Sequence, residues 1–307
     1  LNSEKYIVAF NFKGIDKNDL NKLLNLIENI DDLTVDINEI KINNNFVHRI
    51  NMLNNDFCSN QIKYLKEALN HAKNNIDNHV NVWEKIKKIS NPYELIYINS
   101  NDRISNIIPI SRSFFKMIEF LNKYSLLDHQ NIIGCLAEGP GGFIEALNYY
   151  SIKNNIQTKI HGITLAPNKK GVPSWKKIYN IKNNKFTVTY GNLYIKDDII
   201  KYSQNFNKNK ANLVTADGGI DYSSDYNKQE QLSYKIILSE IISSFCILKE
   251  GGNFICKIFD IFSIFTIKLL KLIDMYFEKF VIDKPKTSRV LNSEKYIVAF
   301  NFKGIDK

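Results

Sequence analysis

The segment Leu136-Ala137-Glu138-Gly139-Pro140-Gly141-Gly142-Phe143 restricts the fold more than any other stretch of the chain. An apolar run, Ile132 to Leu136, stops there, and an amphipathic one, Phe143 to Tyr150, begins. A strand that breaks into a glycine-rich turn and then a helix is how an α/β protein brings bare backbone beside a nucleotide-like ligand. On this reading Gly139, Gly141 and Gly142 clear side chains from the ligand's path, and Pro140 stiffens the turn. A turn that merely joins a strand to a helix would use the same residues, so the downstream sequence has to decide.

Downstream the pattern alternates. Ser111 to Tyr124, Gly142 to Tyr150, Gln229 to Leu248 and Ile264 to Phe277 read as helices. Asn131 to Leu136, Lys159 to Thr164, Lys185 to Tyr190, Ala211 to Ala216, Asn253 to Phe259, Phe280 to Ile282 and Tyr296 to Phe302 read as strands. Upstream, Leu20 to Ile30 is an expected helix. Ser59 to Ile89 is expected as one long helix ended by Asn91-Pro92. Within it Ile62, Leu69, Ile76 and Trp83 fall seven apart, as do Leu65, Ala72, His79 and Ile86, which makes His79 a core-edge residue rather than a ligand. The expected architecture is an α/β, doubly wound, Rossmann-like sheet with helices on both faces over residues 101–307. A mostly helical extension, 18–100, precedes it. Ligands of such sheets bind beyond the carboxyl ends of the strands, where the glycine turn falls.

The 307 residues, 44% of them apolar, suffice for one sizeable domain plus an extension. The net charge of +9 fits a polyanionic partner, although surplus lysine also serves to solubilise a surface. Cys58, Cys135, Cys246 and Cys256 occur singly, which argues against a zinc site or a disulfide framework and for a reducing compartment. No metal site is expected. Without a long apolar run or a secretory leader, the chain is expected to be soluble and intracellular, with no membrane partner. Residues 1–17 are identical to residues 291–307. One perfect copy at each end is not a solenoid, and it reads as the seam of a longer or circularly joined sequence.

Several charged residues stand where apolar strands end. Asp217 follows Leu213-Val214-Thr215-Ala216, Lys257 interrupts Phe254 to Phe259, and Glu294 precedes Tyr296 to Phe302. A lysine inside so apolar a strand is costly unless it is paired, opens onto a cleft, or faces water on an edge.

Ser111-Arg112-Ser113-Phe114-Phe115-Lys116, Ala137 to Phe143, Thr215-Ala216-Asp217-Gly218-Gly219, Lys257-Ile258-Phe259-Asp260 and Lys284 to Arg289 through Asn292-Ser293-Glu294-Lys295-Tyr296 occur in that order. Together they resemble the FtsJ-like ribose 2′-O-methyltransferases, and most of all the mRNA cap-specific branch found in large DNA viruses of eukaryotes. The resemblance covers roughly residues 105–303 and implies a Rossmann-like methyltransferase sheet with S-adenosylmethionine as cofactor.

The family's Lys-Asp-Lys-Glu tetrad maps onto Lys116, Asp217, Lys257 and Glu294. A ribose 2′-hydroxyl is a poor nucleophile, so methyl transfer needs in-line positioning and removal of one proton. Lys257 is the candidate beside the hydroxyl. Lys116 would lower its proton affinity, while Asp217 and Glu294 would orient it and raise that affinity. The same resemblance places the cofactor against Glu138, Gly139, Pro140, Gly141, Gly142, Phe143, Asn192 and Asp217. Asn192 stands where the family usually has an aspartate that touches adenine, and the second strand ends in Thr164-Leu165 without the acid that commonly holds the ribose. Glu294 is assigned over its duplicate Glu4 because it follows the Lys284 to Arg289 loop directly.

RNA phosphates are expected on Lys169, Lys170, Arg112, Lys286, Ser288 and Arg289, with a base stacked on Trp175; a solvated loop anchored by the tryptophan is the plainer alternative. The resemblance implies capped mRNA as substrate, other capping enzymes as possible partners, and the cytoplasm of an infected cell or a virion as location. Two rivals stay open: a ribosomal or transfer RNA methyltransferase of the same fold, and an inactive RNA-binding subunit of a capping complex.

Overall fold

The computed structural model describes residues 57–97, 103–167, 172–175, 178, 181, 186–220, 228–289 and 292–304. Glu4, Lys169, Lys170 and the expected helix Leu20 to Ile30 lie outside these residues.

Seven strands form one sheet in the order β3-β2-β1-β4-β5-β7-β6. They are β1 Gln130–Leu136, β2 Gln157–Thr164, β3 Phe186–Tyr190, β4 Ala211–Ala216, β5 Leu248–Ile258, β6 Phe277–Asp283 and β7 Lys295–Phe302. β3, β2, β1, β4 and β5 pair in parallel, and β7 runs antiparallel to both β5 and β6. The expected doubly wound sheet is therefore present, with an antiparallel hairpin on one flank.

The strands alternate between two buried layers, as a period-2 backbone requires. Ile133, Cys135, Leu213, Ile255, Tyr296 and Val298 pack under α3 (Ser113–Lys123) and α4 (Gly142–Lys153). Val214, Ala216, Phe254, Cys256, Ile297 and Ala299 pack against α5 (Lys196–Ser203), α7 (Tyr234–Ile247) and α8 (Ile264–Tyr276). The short α6 (Gln229–Leu232) precedes α7, so the single helix expected from Gln229 to Leu248 is interrupted at Ser233. β5 begins five residues before its expected start, because Gly251, at φ +73°, and a register shift between Ala211 and Leu213 let the chain bulge and still pair.

The long upstream helix is also broken. α1 (Phe57–Asn74) gives way to a 3-10 turn, Asn75–His79, before α2 (Val80–Ser90). Asn74, Asn75 and Asn78 fall at the break, and asparagine is a residue type whose side chain competes with the helix for backbone hydrogen bonds. Leu69, Ile76 and Trp83 are half-buried, whereas Leu65, Ala72, His79 and Ile86 face solvent, which corrects the placing of His79 at a core edge. No described helix is long and apolar enough to cross a membrane.

Candidate active site

Strand register assembles the site. The strand order reverses between β1 and β4, and Leu136 pairs with Ala216, so Glu138 and Asp217 leave the sheet side by side. Ala216 pairs with Cys256, which sets Lys257 next to Asp217. Lys257 pairs in turn with Tyr296, two residues beyond Glu294. Leu213 and Ile255 point toward α3, so alternation sends Asp217 and Lys257 to that same face. On α3, Lys116 lies one turn before Phe120 and so shares its buried face.

The four charged groups meet there. The Lys116 ammonium lies 2.7 Å from Glu294 Oε1 and donates to Oε2 at 2.8 Å. It also donates to the Tyr296 hydroxyl at 3.2 Å. Tyr296 donates to Asp217 Oδ1 at 2.7 Å. Lys257 Nζ lies 3.4 Å from that same oxygen and donates to the Asp217 main-chain carbonyl at 2.9 Å. Glu294, Lys116, Tyr296, Asp217 and Lys257 thus form one unbroken polar chain, with two cations facing two anions. Buried ions persist only when paired in this way.

Burial alone would raise the Glu294 carboxyl, but Lys116 and then Lys257, with hydrogen bonds from Lys116 and Ser288, hold it down at about 2. Two further acids sit behind the pairs and behave oppositely. Burial, with Asp217 adding, pushes Glu138 well above the carboxylate range. Burial likewise raises Glu240 to about 8. Lys284 braces the loop below Glu294, donating to the main-chain carbonyls of Asn292 and Glu294 at 2.8 Å each, and burial lowers its ammonium to about 8.

At the glycine turn Ala137 takes φ +49°, an uncommon conformation for a residue with a Cβ, and the chain swings out of β1. Glu138 Oε1 accepts the Phe143 N–H at 2.8 Å, while its Oε2 is buried with no partner among the described residues. The protein's own packing also requires the glycines. A Cβ at Gly142 would overlap the Ser111 and Ser113 hydroxyls, one at Gly139 would press on Thr164, and one at Gly141 on Ile178, with φ already at +114°. Gly139 and Pro140 nevertheless remain partly open to solvent. Phe143 is fully buried and contributes its main chain only. Asn192 Oδ1 accepts the Tyr194 N–H at 2.9 Å, so the oxygen expected to face adenine closes a local turn.

The residues expected on RNA divide. Trp175 is fully buried and donates its indole N–H to the Thr189 carbonyl at 3.0 Å, so it anchors its loop and presents no face to a base. Ser288 is buried and donates to Glu294 Oε1 at 2.7 Å, which makes it a prop for that carboxylate rather than a phosphate contact. The Arg112 guanidinium donates to the Thr287 carbonyl at 3.1 Å, the Glu94 carbonyl at 3.4 Å and the Tyr93 carbonyl at 3.0 Å and pairs with the Glu94 carboxylate at 3.5 Å, so four of its five N–H groups are engaged within the protein. Lys286 is exposed, and Arg289 is largely exposed although it reaches Glu94 at 3.4 Å.

The FtsJ-like methyltransferase family matches residues 109–302, and this span holds all four charged groups and the glycine turn. The chain belongs to this family. Among its relatives, a cap-specific mRNA (nucleoside-2′-O-)-methyltransferase of Autographa californica nuclear polyhedrosis virus is 32% identical over 194 residues, covering 62% of this chain and 71% of that protein. Cap-specific mRNA (nucleoside-2′-O-)-methyltransferase 1 of Dictyostelium discoideum is 33% identical over 242 residues, covering 70% of this chain but 31% of its own length. A Caenorhabditis briggsae protein named as an inactive cap-specific methyltransferase is 30% identical over 169 residues, covering 52% of this chain and 20% of its own. Likeness at this level therefore spans proteins named as active and as inactive.

As an FtsJ-like methyltransferase the chain uses S-adenosylmethionine. The residues at the switch point fit such a group: the orphaned, buried Glu138 Oε2 would be satisfied by an arriving polar group, and the Gly139-Pro140 edge is open beside it. Three residues of the site escape sequence reasoning. Tyr296 reads as one more core aromatic in an apolar strand, Glu240 as the solvent side of a helix, and Lys284 as one lysine among many. Only the spacing Glu294-x-Tyr296, which puts both side chains at one end of β7, was an available signal for the first.

Proposed function

We propose that this methyltransferase transfers a methyl group from S-adenosylmethionine to a ribose 2′-hydroxyl of RNA, at the cap-proximal nucleotide of mRNA. The names of the viral and Dictyostelium relatives support the acceptor. The observation that carries the chemistry is the pairing of Lys257 with Asp217 at 3.4 Å and of Lys116 with Glu294 at 2.7 Å, beside the glycine turn at the switch point. In this reading residues 101–307 form the catalytic unit.

The donor, when bound, supplies a methyl group already activated by its sulfonium, so the protein's part is to hold the hydroxyl in line and take one proton. Lys257 in its neutral form accepts that proton at Nζ. Asp217 and Glu294 stabilise the ammonium that results, and Lys116 keeps Glu294 ionised and in place. Phe120, Phe143 and the Tyr296 ring form a dry floor beneath the pairs, which strengthens each interaction. Lys286, Arg289, Lys169 and Lys170 are the cations assigned to RNA phosphates.

Methyl transfer should be measured on one RNA with and without a 5′ cap, wild type beside Lys257→Ala. The wild type is expected to require the cap, and Lys257→Ala to lose about 10²–10⁴-fold in rate. Transfer only to uncapped structured RNA would make the acceptor a ribosomal or transfer RNA. RNA binding without S-adenosylmethionine binding would place the chain with its inactive relatives.

A further inference from the structure

One buried carboxyl touches the neighbours of two members of the tetrad. Glu240, on α7, is fully buried beneath the carboxyl ends of β4 and β5. Its Oε1 accepts the Gly218 N–H at 2.9 Å, and Gly218 is the residue after Asp217. Its Oε2 accepts the Cys256 thiol at 3.6 Å, and Cys256 is the residue before Lys257. A Cβ at Gly218 would overlap Glu240 Oε1, so the turn is seated directly on the carboxyl. Around it on α7, Ile237, Leu238, Ile241, Ile242 and Phe245 pack into the core beside the small buried Ser239, Ser243 and Ser244. An acid there is costly to bury, and a leucine would avoid that cost only by leaving the Gly218 N–H without its acceptor.

We infer, resting on the methyl-transfer reading above, that Glu240 is a positioning residue for that reaction: its carboxyl fixes the Asp217-Gly218 turn and the Cys256-Lys257 strand end in one frame, setting the separation between Asp217 and Lys257. β4 ends at Ala216 and its pairing with β5 ends at Ala216–Cys256, so Asp217 lies beyond the ladder while Lys257 is held only from the β7 side, through its pairing with Tyr296. The Gly218 N–H would otherwise be an unsatisfied buried donor, free to tilt the Asp217 carbonyl that accepts from Lys257. Burial holds Glu240 largely neutral at neutral pH, so it secures the turn without adding a third anion to the pocket. The ionisable groups facing it are Lys257, Asp217, Cys256 and Glu138. At alkaline pH an ionised Glu240 would hold the proton of Lys257 more tightly, so the pocket works best with this acid protonated.

The test compares Glu240→Leu and Glu240→Gln with wild type, using kcat and KM for capped RNA together with amide hydrogen exchange of the ligand-free protein. Glu240→Leu is expected to lower kcat by about 10- to 100-fold with both KM values within about twofold, as a sub-ångström misplacement of the base would. Exchange should quicken in the peptide spanning 216–219 and stay unchanged in α3 and α4. Glu240→Gln, which keeps an acceptor for Gly218 and cannot ionise, should restore the exchange pattern and most of kcat, and should move the rise of kcat with pH to lower pH. Wild-type kcat in Glu240→Leu, equal losses in both variants, or a Glu240→Gln pH profile that superimposes on wild type would overturn the proposal. If Glu240→Leu does not fold, the Glu240→Gln profile decides alone. Absence of any methyl transfer by wild type would count against the functional reading, while the exchange result would still report on the Glu240–Gly218 contact.

Discussion

The two ends of the sheet carry similar residue types and treat them in opposite ways. At the amino end, Lys159, Lys210 and Lys249 line an open groove of about 520 Å³ with Gln130, Asn131, Gln157, Asn209 and Asn212. There the polar groups answer the backbone: Asn131 exchanges hydrogen bonds with Asp128, Asn212 accepts the Ile132 N–H at 2.9 Å, and Lys210 donates to the Cys246 carbonyl at 2.7 Å. At the carboxyl end Lys116, Lys257, Asp217 and Glu294 are nearly buried and answer one another. Charged side chains that satisfy backbone finish a fold, whereas buried ones that satisfy each other are kept at a cost that a reaction can explain. By that contrast the groove at the amino end is not the candidate site.

Exchanging lysines between the two ends breaks or sharpens this contrast. The largest effect is expected from Lys257→Ala, a loss of about 10²–10⁴-fold in methyl transfer, against less than about twofold for Lys159→Ala and Lys249→Ala in the same assay. Comparable losses at both ends would erase the distinction. Tyr296→Phe removes the hydroxyl that joins Lys116 to Asp217 while keeping the ring, and should lower kcat by about tenfold and leave the protein folded, as circular dichroism would check.

Glu294→Gln probes the same end through stability. The native carboxyl sits near 2 against an ordinary 4.5, so its contribution is present above about pH 4.5 and drains away as pH falls toward 2. The variant should flatten that acid limb in melting temperatures measured from pH 2 to 7; an unchanged slope would show that the pair does not stabilise the fold. Smallest is Lys210→Ala, where an exposed hydrogen bond to a carbonyl should cost about 1 kcal/mol or less in denaturant midpoint and nothing in activity.

Much of the carboxyl end was legible because its residues violate the pattern around them. Asp217 stops an apolar strand, Lys257 interrupts one, and the glycine turn marks the passage from strand to helix. Glu240 and Tyr296 were not legible for the converse reason: an acid in a helix and an aromatic in a strand violate nothing until tertiary packing shows which way they point. The break at Asn75–His79 was missed because a seven-residue spacing of apolar positions outweighed the asparagines between them. For Trp175 the sequence left two readings open, a base-stacking ring and a loop anchor, and burial of the ring decides for the anchor. α5 was not anticipated, since its Lys-Asp-Asp start and eight-residue length leave little periodicity to detect.

Arg112 grips Tyr93 and Glu94 with one end of its guanidinium and Thr287 with the other, so the segment before the family core is riveted to the loop that delivers Glu294. Cutting the polypeptide back to its most recognisable portion would leave that arginine with one of its four acceptors and the loop untethered on one side. The 3-10 turn Pro92–Tyr97 is therefore a poor place to trim this enzyme, however little its own sequence announces.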